Sequence, residues 1–132
     1  MSIRAHAKAV VDQLQTDSIL NGATFQGLVL NRPSRYCTVH MDSGRRIADR
    51  FTGPQSQQDY TITIHSAGTS TEQAQLVAER VYAALLGVVL TVPGRRCHRI
   101  RSVDSQPVEL DRDITPPLFY STDVFELVSD PA

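Results

Sequence analysis

The sequence predicts an α+β fold: a mainly antiparallel sheet with two amphipathic helices packed on one face, plus a protruding β-hairpin. Three observations predict it. Apolar residues recur at helical spacing in two segments, near the N-terminus and again around residues 70–86. They alternate with polar residues at every second position in several others. The order helix, strands, helix, strands then gathers both helices on one side of a sheet.

The first helix is capped by Ser2 and carries Ile3, Ala7, Val10 and Leu14 as its apolar stripe, with Arg4, Lys8, Asp12 and Gln15 opposite. Thr16-Asp17-Ser18 ends it. Asn21-Gly22 signals a turn, and Thr24 to Leu30 reads as a short strand. Pro33 breaks the chain before Tyr36 to Met41, a strand with Cys37, Val39 and Met41 on one face. Asp42-Ser43-Gly44 reads as a hairpin tip, with Arg45 to Phe51 as the returning arm. Gly53 to Gln58 follows as a polar, turn-rich stretch. Residues 43–58 hold too little apolar surface to offset their own ordering entropy, about 1–2 kcal/mol per backbone residue. They need a neighbour.

Tyr60, Ile62 and Ile64 alternate with Thr61, Thr63 and His65 in the next strand. Ser70 with Gln73 forms a capping box that starts the second helix, and Gly87 supplies the left-handed residue that ends it. Ala74, Val77, Val81, Ala84 and Leu85 form its buried side, while Glu79 and the head of Arg80 face solvent or a partner. Val88 to Val92 is expected to be a returning strand closed by a Pro93-Gly94 turn. In the strand that follows, Arg95, Arg99 and Arg101 share one parity, Arg96 and His98 the other. Asp104 to Pro107 is a loop, Val108 to Leu110 a short strand, and Leu118 to Val128 the last strand, with Phe119, Phe125 and Leu127 on one face. No repeat or long linker divides the 132 residues, so a single domain, 1–132, is expected.

Composition narrows the function. The net charge of −1 provides no basic field to recruit nucleic acid. All but one of the thirteen basic residues are arginine, Lys8 being the exception, and a planar guanidinium suits persistent protein interfaces. The N-terminal segment is amphipathic where a secretory peptide would be uniformly apolar, and no apolar run reaches the roughly 20 residues of a membrane span. A soluble, intracellular chain is the expectation, with Cys37 and Cys97 as buried free thiols.

Catalytic equipment is scarce. His6, His40, His65 and His98 show no metal-ligand spacing, and adjacent Cys97 and His98 point to opposite faces of a strand. No GxSxG elbow and no glycine-rich phosphate loop occurs. Asp111-x-Asp113 reads as a pair of turn formers before Pro116-Pro117; with His98 it is the one arrangement on which a small hydrolase could be built. Arg95, Arg99 and Arg101 lack the interleaved aromatics of a nucleic-acid reader and suit a solvated face or an intersubunit salt-bridge row. No catalytic residue, metal or cofactor is expected.

The order of elements resembles the tail terminator (tail completion) proteins of long-tailed, non-contractile bacteriophages. The resemblance rests on the N-terminal helix, the Tyr36 strand after Pro33, the hairpin at 43–51, and the Tyr60–Ser66 strand running into the Ser70–Leu86 helix. The Leu85-Leu86-Gly87 exit, Leu90-Thr91-Val92-Pro93-Gly94-Arg95, Asp111-Arg112-Asp113 and the Phe119-Tyr120 strand complete it. It implies a ring, usually a hexamer, that caps the tail-tube protein, stops its polymerisation and joins the head connector or head-closure protein. Phage DNA would pass through the lumen unread, and near-neutral charge suits that passage. The implied location is the neck of a virion assembled in the bacterial cytoplasm, with no membrane contact.

A ring needs heterologous contacts. The candidate interface comprises Arg45, Arg46, Asp49, Arg50 and Phe51 on the hairpin and Gln55, Gln57 and Gln58 in the polar stretch. Glu79 and Arg80 extend it on the second helix. A head-closure (stopper) protein and a major tail-tube protein are the alternative structural roles; the two well-capped helices favour the terminator.

Overall fold

The computed structural model describes residues 3–27, 33–42, 45–48, 55–113 and 117–131, with backbone alone at 45–48 and 55–56. The first helix, α1, spans Ile3–Leu14, and the second, α2, spans Thr71–Leu85. Between them run β1 (Thr24–Gln26), β2 (Arg35–Met41), β3 (Arg45–Ala48) and β4 (Gln55–Gly68). After α2 come β5 (Thr91–Val92), β6 (Arg95–Cys97), β7 (Arg101–Ser105), β8 (Glu109–Asp111) and β9 (Leu118–Pro131).

Two long antiparallel strands, β4 and β9, form the spine, in register from Gln58 opposite Ser129 to Gly68 opposite Phe119. Each has an outer edge built from shorter pieces. Along β4 run β2 and β3, both antiparallel to it. Along β9 run β8, β7 and β6 in turn. One parallel pair, β1 with β2, makes the sheet mixed; every other described pairing is antiparallel.

Alternation sorts the two faces. Tyr60, Ile62 and Ile64 on β4 and Phe125 and Leu127 on β9 point inward and are fully or almost fully buried. Both helices cover that one face. Tyr82 of α2 lies against Phe125 with ring centroids 5.6 Å apart, and His6 of α1 lies against Tyr60 at 4.5 Å. Val10, Leu14, Val77, Val81 and Leu85 complete the core from the helix side. Burying each large aliphatic stabilises by about 1.5–3 kcal/mol.

The second helix keeps the boundaries expected of it. Ser70 Oγ accepts from the Gln73 N–H at 3.3 Å, and Gly87 takes φ +73° just beyond the C-cap. The reciprocal half of the capping box is not made: Gln73 Oε1 accepts instead from Arg35 at 3.5 Å. Gly68, at the end of β4, is required by close approach rather than by its torsions. A Cβ there would come within 2.6 Å of Gln73 Cβ and 2.8 Å of the Ala74 nitrogen.

Four expectations need correcting. Strands β2 and β3 do not pair with each other as a hairpin about Asp42-Ser43-Gly44, of which Ser43 and Gly44 lie outside the described residues. The Asp42 N–H donates to the Thr61 carbonyl and its carboxylate accepts from the Thr61 N–H, which keeps it on the β4 ladder. Strand β3 therefore continues β2 along the same edge, and the reversal falls between Ala48 and Gln55, where 49–54 lie outside the described residues. Second, Gln55–Gln58 is the start of β4, not a loop; cross-strand pairing outweighs its polar composition. Third, Val88 to Leu90 is irregular and only Thr91–Val92 is strand, because the Val88 carbonyl is taken by the Ile100 N–H. Fourth, the arginine parity is broken. Residues 98–100 interrupt the strand, and the buried side chains are Cys97 and Ile100, three positions apart. Arg95 is thereby drawn to the inner side and separated from Arg101.

Candidate assembly surface

The candidate residues fall into three groups. Arg45 and Arg46 stand on β3 opposite Asp59 and Gln58, and Gln55 stands opposite Ala48. Asp49, Arg50 and Phe51 lie outside the described residues. Gln57, Gln58 and Arg80 form internal contacts. Gln57 Nε2 donates to Asp130 Oδ1 at 3.2 Å. Gln58 is buried, and its Oε1 accepts from the Tyr60 hydroxyl at 2.5 Å. Arg80 Nε lies 3.5 Å from Asp17 Oδ2, so its head does not simply face solvent. Glu79 is exposed on the outer side of α2.

Glu79 borders a groove of about 470 Å³ between α2 and strands β7 and β9. Ala78, Tyr82 and Ala83 line its helix side, Ser105 and Asp123 its sheet side. Asp123 is 3% exposed. Its Oδ1 accepts from Ser105 Oγ at 2.7 Å, whereas its buried Oδ2 has no hydrogen-bond partner among the described residues. Burial pushes this carboxyl above the usual aspartate range, and the charge of Asp104 adds to the effect, while the Ser105 hydrogen bond opposes it. A buried acceptor left open costs about 1–3 kcal/mol, more when charged. Periodicity alone did not expose this site, since Asp123 occupies an inward position between Ser121 and Phe125.

A second groove, about 720 Å³, opens on the helix-free face between Gln57, His98, Arg99, Arg101 and Val128. Its charges are largely paired. His98 Nε2 lies 2.6 Å from Asp130 Oδ2, and Arg101 donates to Glu126. The His98 hydrogen bond holds the Asp130 carboxyl below its usual range, with further help from Gln57. Farther along the same face His40 and His65 meet edge to face at 5.3 Å, and His65 Nδ1 bonds Thr122 Oγ1 at 3.0 Å. Burial, then the neighbouring His40, lowers the His65 pKa.

The hydrolase arrangement is not brought together. Asp111 Oδ1 accepts from the Asp113 N–H at 3.0 Å, a local turn. Asp111 lies opposite Leu118, whereas the His98 N–H reaches the Val128 carbonyl. Ten residues of β9 separate those points, about 33 Å of strand. His6 and Ser129 do form a close pair, but both are fully buried and Arg95 also donates to Ser129 Oγ, a packing role. No cluster of three His, Cys, Asp or Glu side chains suited to a metal ion occurs among the described residues.

Against solved structures, the chain superposes on one from the virion of a native gene transfer agent (GTA) particle. The TM-score is 0.74 at 16% identity, covering 98% of this chain and 95% of that one. The fold is one found in a virion. A second solved protein superposes at TM-score 0.61 and 13% identity over 98% of this chain and 93% of the other. No family model and no curated protein matches the sequence. No described helix is long and apolar enough to cross a membrane.

Proposed function

We propose that this chain is a structural protein of a bacteriophage-like virion, and that it acts there as a tail terminator. In this reading it forms a ring, hexameric by the resemblance, that caps the tail tube, halts polymerisation and offers the joining surface for the head connector. DNA slides through the lumen without being read, and the chain makes or breaks no covalent bond.

The observation that carries the reading is the near end-to-end superposition on a virion chain. That match covers 98% of this chain and 95% of the other, so it spans the described fold and not a fragment of it. The sequence resemblance narrows the role to the terminator. The proposed docking elements are the hairpin, with Arg45, Arg46 and residues 49–51, together with Gln55 and Glu79. Gln57, Gln58 and Arg80 support that surface from within.

Negative-stain microscopy of the purified protein, alone and mixed with tail tubes, tests the proposal. Discrete rings and capped tube ends are expected. Binding to portal-bearing heads but not to tube ends would reassign it as a head-closure protein, and unaided growth into long tubes as a tube protein. The absence of annular particles and of density at the tube end would defeat the reading altogether.

A further inference from the structure

Asp123 combines two features that rarely coexist in a settled subunit. It is 3% exposed, yet one of its carboxylate oxygens has no partner among the described residues. That carboxylate lines the groove beside α2, whose other polar members are Ser105 and the rim residue Glu79. Asp104 stands close enough to add its negative field. No basic residue among the described residues lines the groove. Its apolar side, Ala78, Ala83 and the body of Tyr82, suits an aliphatic stem ending in a planar cation.

We propose that this groove is a socket for a guanidinium supplied by the Arg45-Arg46 pair of a second copy of the chain. The proposal rests on the assembly reading above and names the contact that would close the ring.

Three of the subunit's own arginines have contacts of their own. Arg80 faces Asp17, Arg101 is bound to Glu126, and Arg99 donates to the Gly87 carbonyl at 3.4 Å. Topology selects the donor. The socket lies at the β9 edge of the spine, where β7 pairs, whereas β3 lies on the opposite edge, outside β4. Strand positions 45 and 46 on one edge and a carboxylate pocket toward the other allow a head-to-tail contact, the type that generates rings. A charge-assisted hydrogen bond from that guanidinium would satisfy the partnerless oxygen and offset the cost of burying Asp123.

The test uses the full-length chain. Asp123→Asn keeps the acceptor for Ser105 and removes the charge, so the variant is expected to fold at least as stably as wild type. By sedimentation velocity, the concentration for half-assembly should rise about tenfold or more. Arg45→Gln/Arg46→Gln should give a similar loss. Combining it with Asp123→Asn should add little, the signature of coupled partners. As a separate measurement, Arg46→Cys with Ala83→Cys should yield disulfide-linked multimers on oxidation.

Wild-type rings that form equally well in Asp123→Asn, or additive losses in the combined variant, would overturn the socket and leave the ring reading standing. Failure of the cysteine pair to link subunits within wild-type-like rings would do the same. A wild-type chain that forms no closed oligomer, alone or on tubes, would remove both ideas together.

Discussion

His6 Nε2 lies 2.9 Å from Ser129 Oγ, joining the first helix to the end of the last strand across 123 residues of sequence. Both residues are fully buried. Arg95 adds two bonds to the same serine, from Nε to Oγ at 2.8 Å and from Nη2 to the carbonyl at 2.7 Å. One hydroxyl thus ties α1, β6 and β9 together. Ser129→Ala removes the hydroxyl that His6 Nε2 and Arg95 Nε share and should destabilise the subunit by about 1–3 kcal/mol. An unchanged urea midpoint would refute that role.

Gly68 is held by space. Adding a methyl group drives it into Gln73 Cβ and the backbone of the first turn of α2. Gly68→Ala should cost about 1–3 kcal/mol as α2 is pushed off the end of β4. Chemical denaturation measures this directly, and a variant as stable as wild type would show that the strand and helix can part freely.

Asp123 gives the subunit a pH dependence of definite sign. Its folded-state pKa is raised, chiefly by burial, so the folded protein holds this proton more tightly than the unfolded chain does. The associated stability is complete below the ordinary aspartate value of about 3.9. It is lost as pH rises from there through the raised folded value. In the unassembled subunit, Asp123→Asn should raise the Tm at neutral pH and remove that portion of the decline. If the variant melts lower at neutral pH, while its low-pH stability is unchanged, the open carboxylate oxygen is not the liability argued above.

The two thiols should be silent in the native state. Burial pushes Cys37 up to about 11, only partly opposed by its contact with the Thr24 hydroxyl. Burial likewise raises Cys97, with Arg95 opposing. Since the thiolate is the reactive form, a thiol reagent at about pH 8 should label both cysteines only as fast as the subunit unfolds. Immediate labelling of Cys37 without denaturant would contradict its placement.

Much of the architecture was legible because it is written at short range. The stripe Ala7, Val10, Leu14 and the stripe Ala74, Val77, Val81, Leu85 are buried as their spacing predicts. Ser70 and Gly87 mark the ends of α2 through interactions spanning a few residues, and the alternation of Tyr60, Ile62 and Ile64 places them inward. The Ile3 end of α1 is less buried than its stripe suggested, while His6, which no apolar pattern would include, lies within the core. A histidine enters that core only because a hydroxyl from the far end of the chain meets it.

The candidate surface was less legible. Gln55–Gln58 reads as a polar loop when taken alone, yet the strand persists there because β3 and then β9 supply its partners. Asp42-Ser43-Gly44 carries a strong turn signal, but the bonds from Asp42 to Thr61 hold the chain on its existing track. Gln58 and Arg80 look free in one dimension and have internal contacts in three.

By itself the sequence determined the fold class, the two helices with their buried faces, and the want of a catalytic motif, since each follows from spacing within about one helix or strand. Only the tertiary structure decided how far β4 runs, that Arg95 and Arg101 part company, and that Asp123 is buried beside α2 with one oxygen lacking a partner among the described residues. Those outcomes depend on register between segments far apart in the chain, where a shift of one residue exchanges the inner face for the outer.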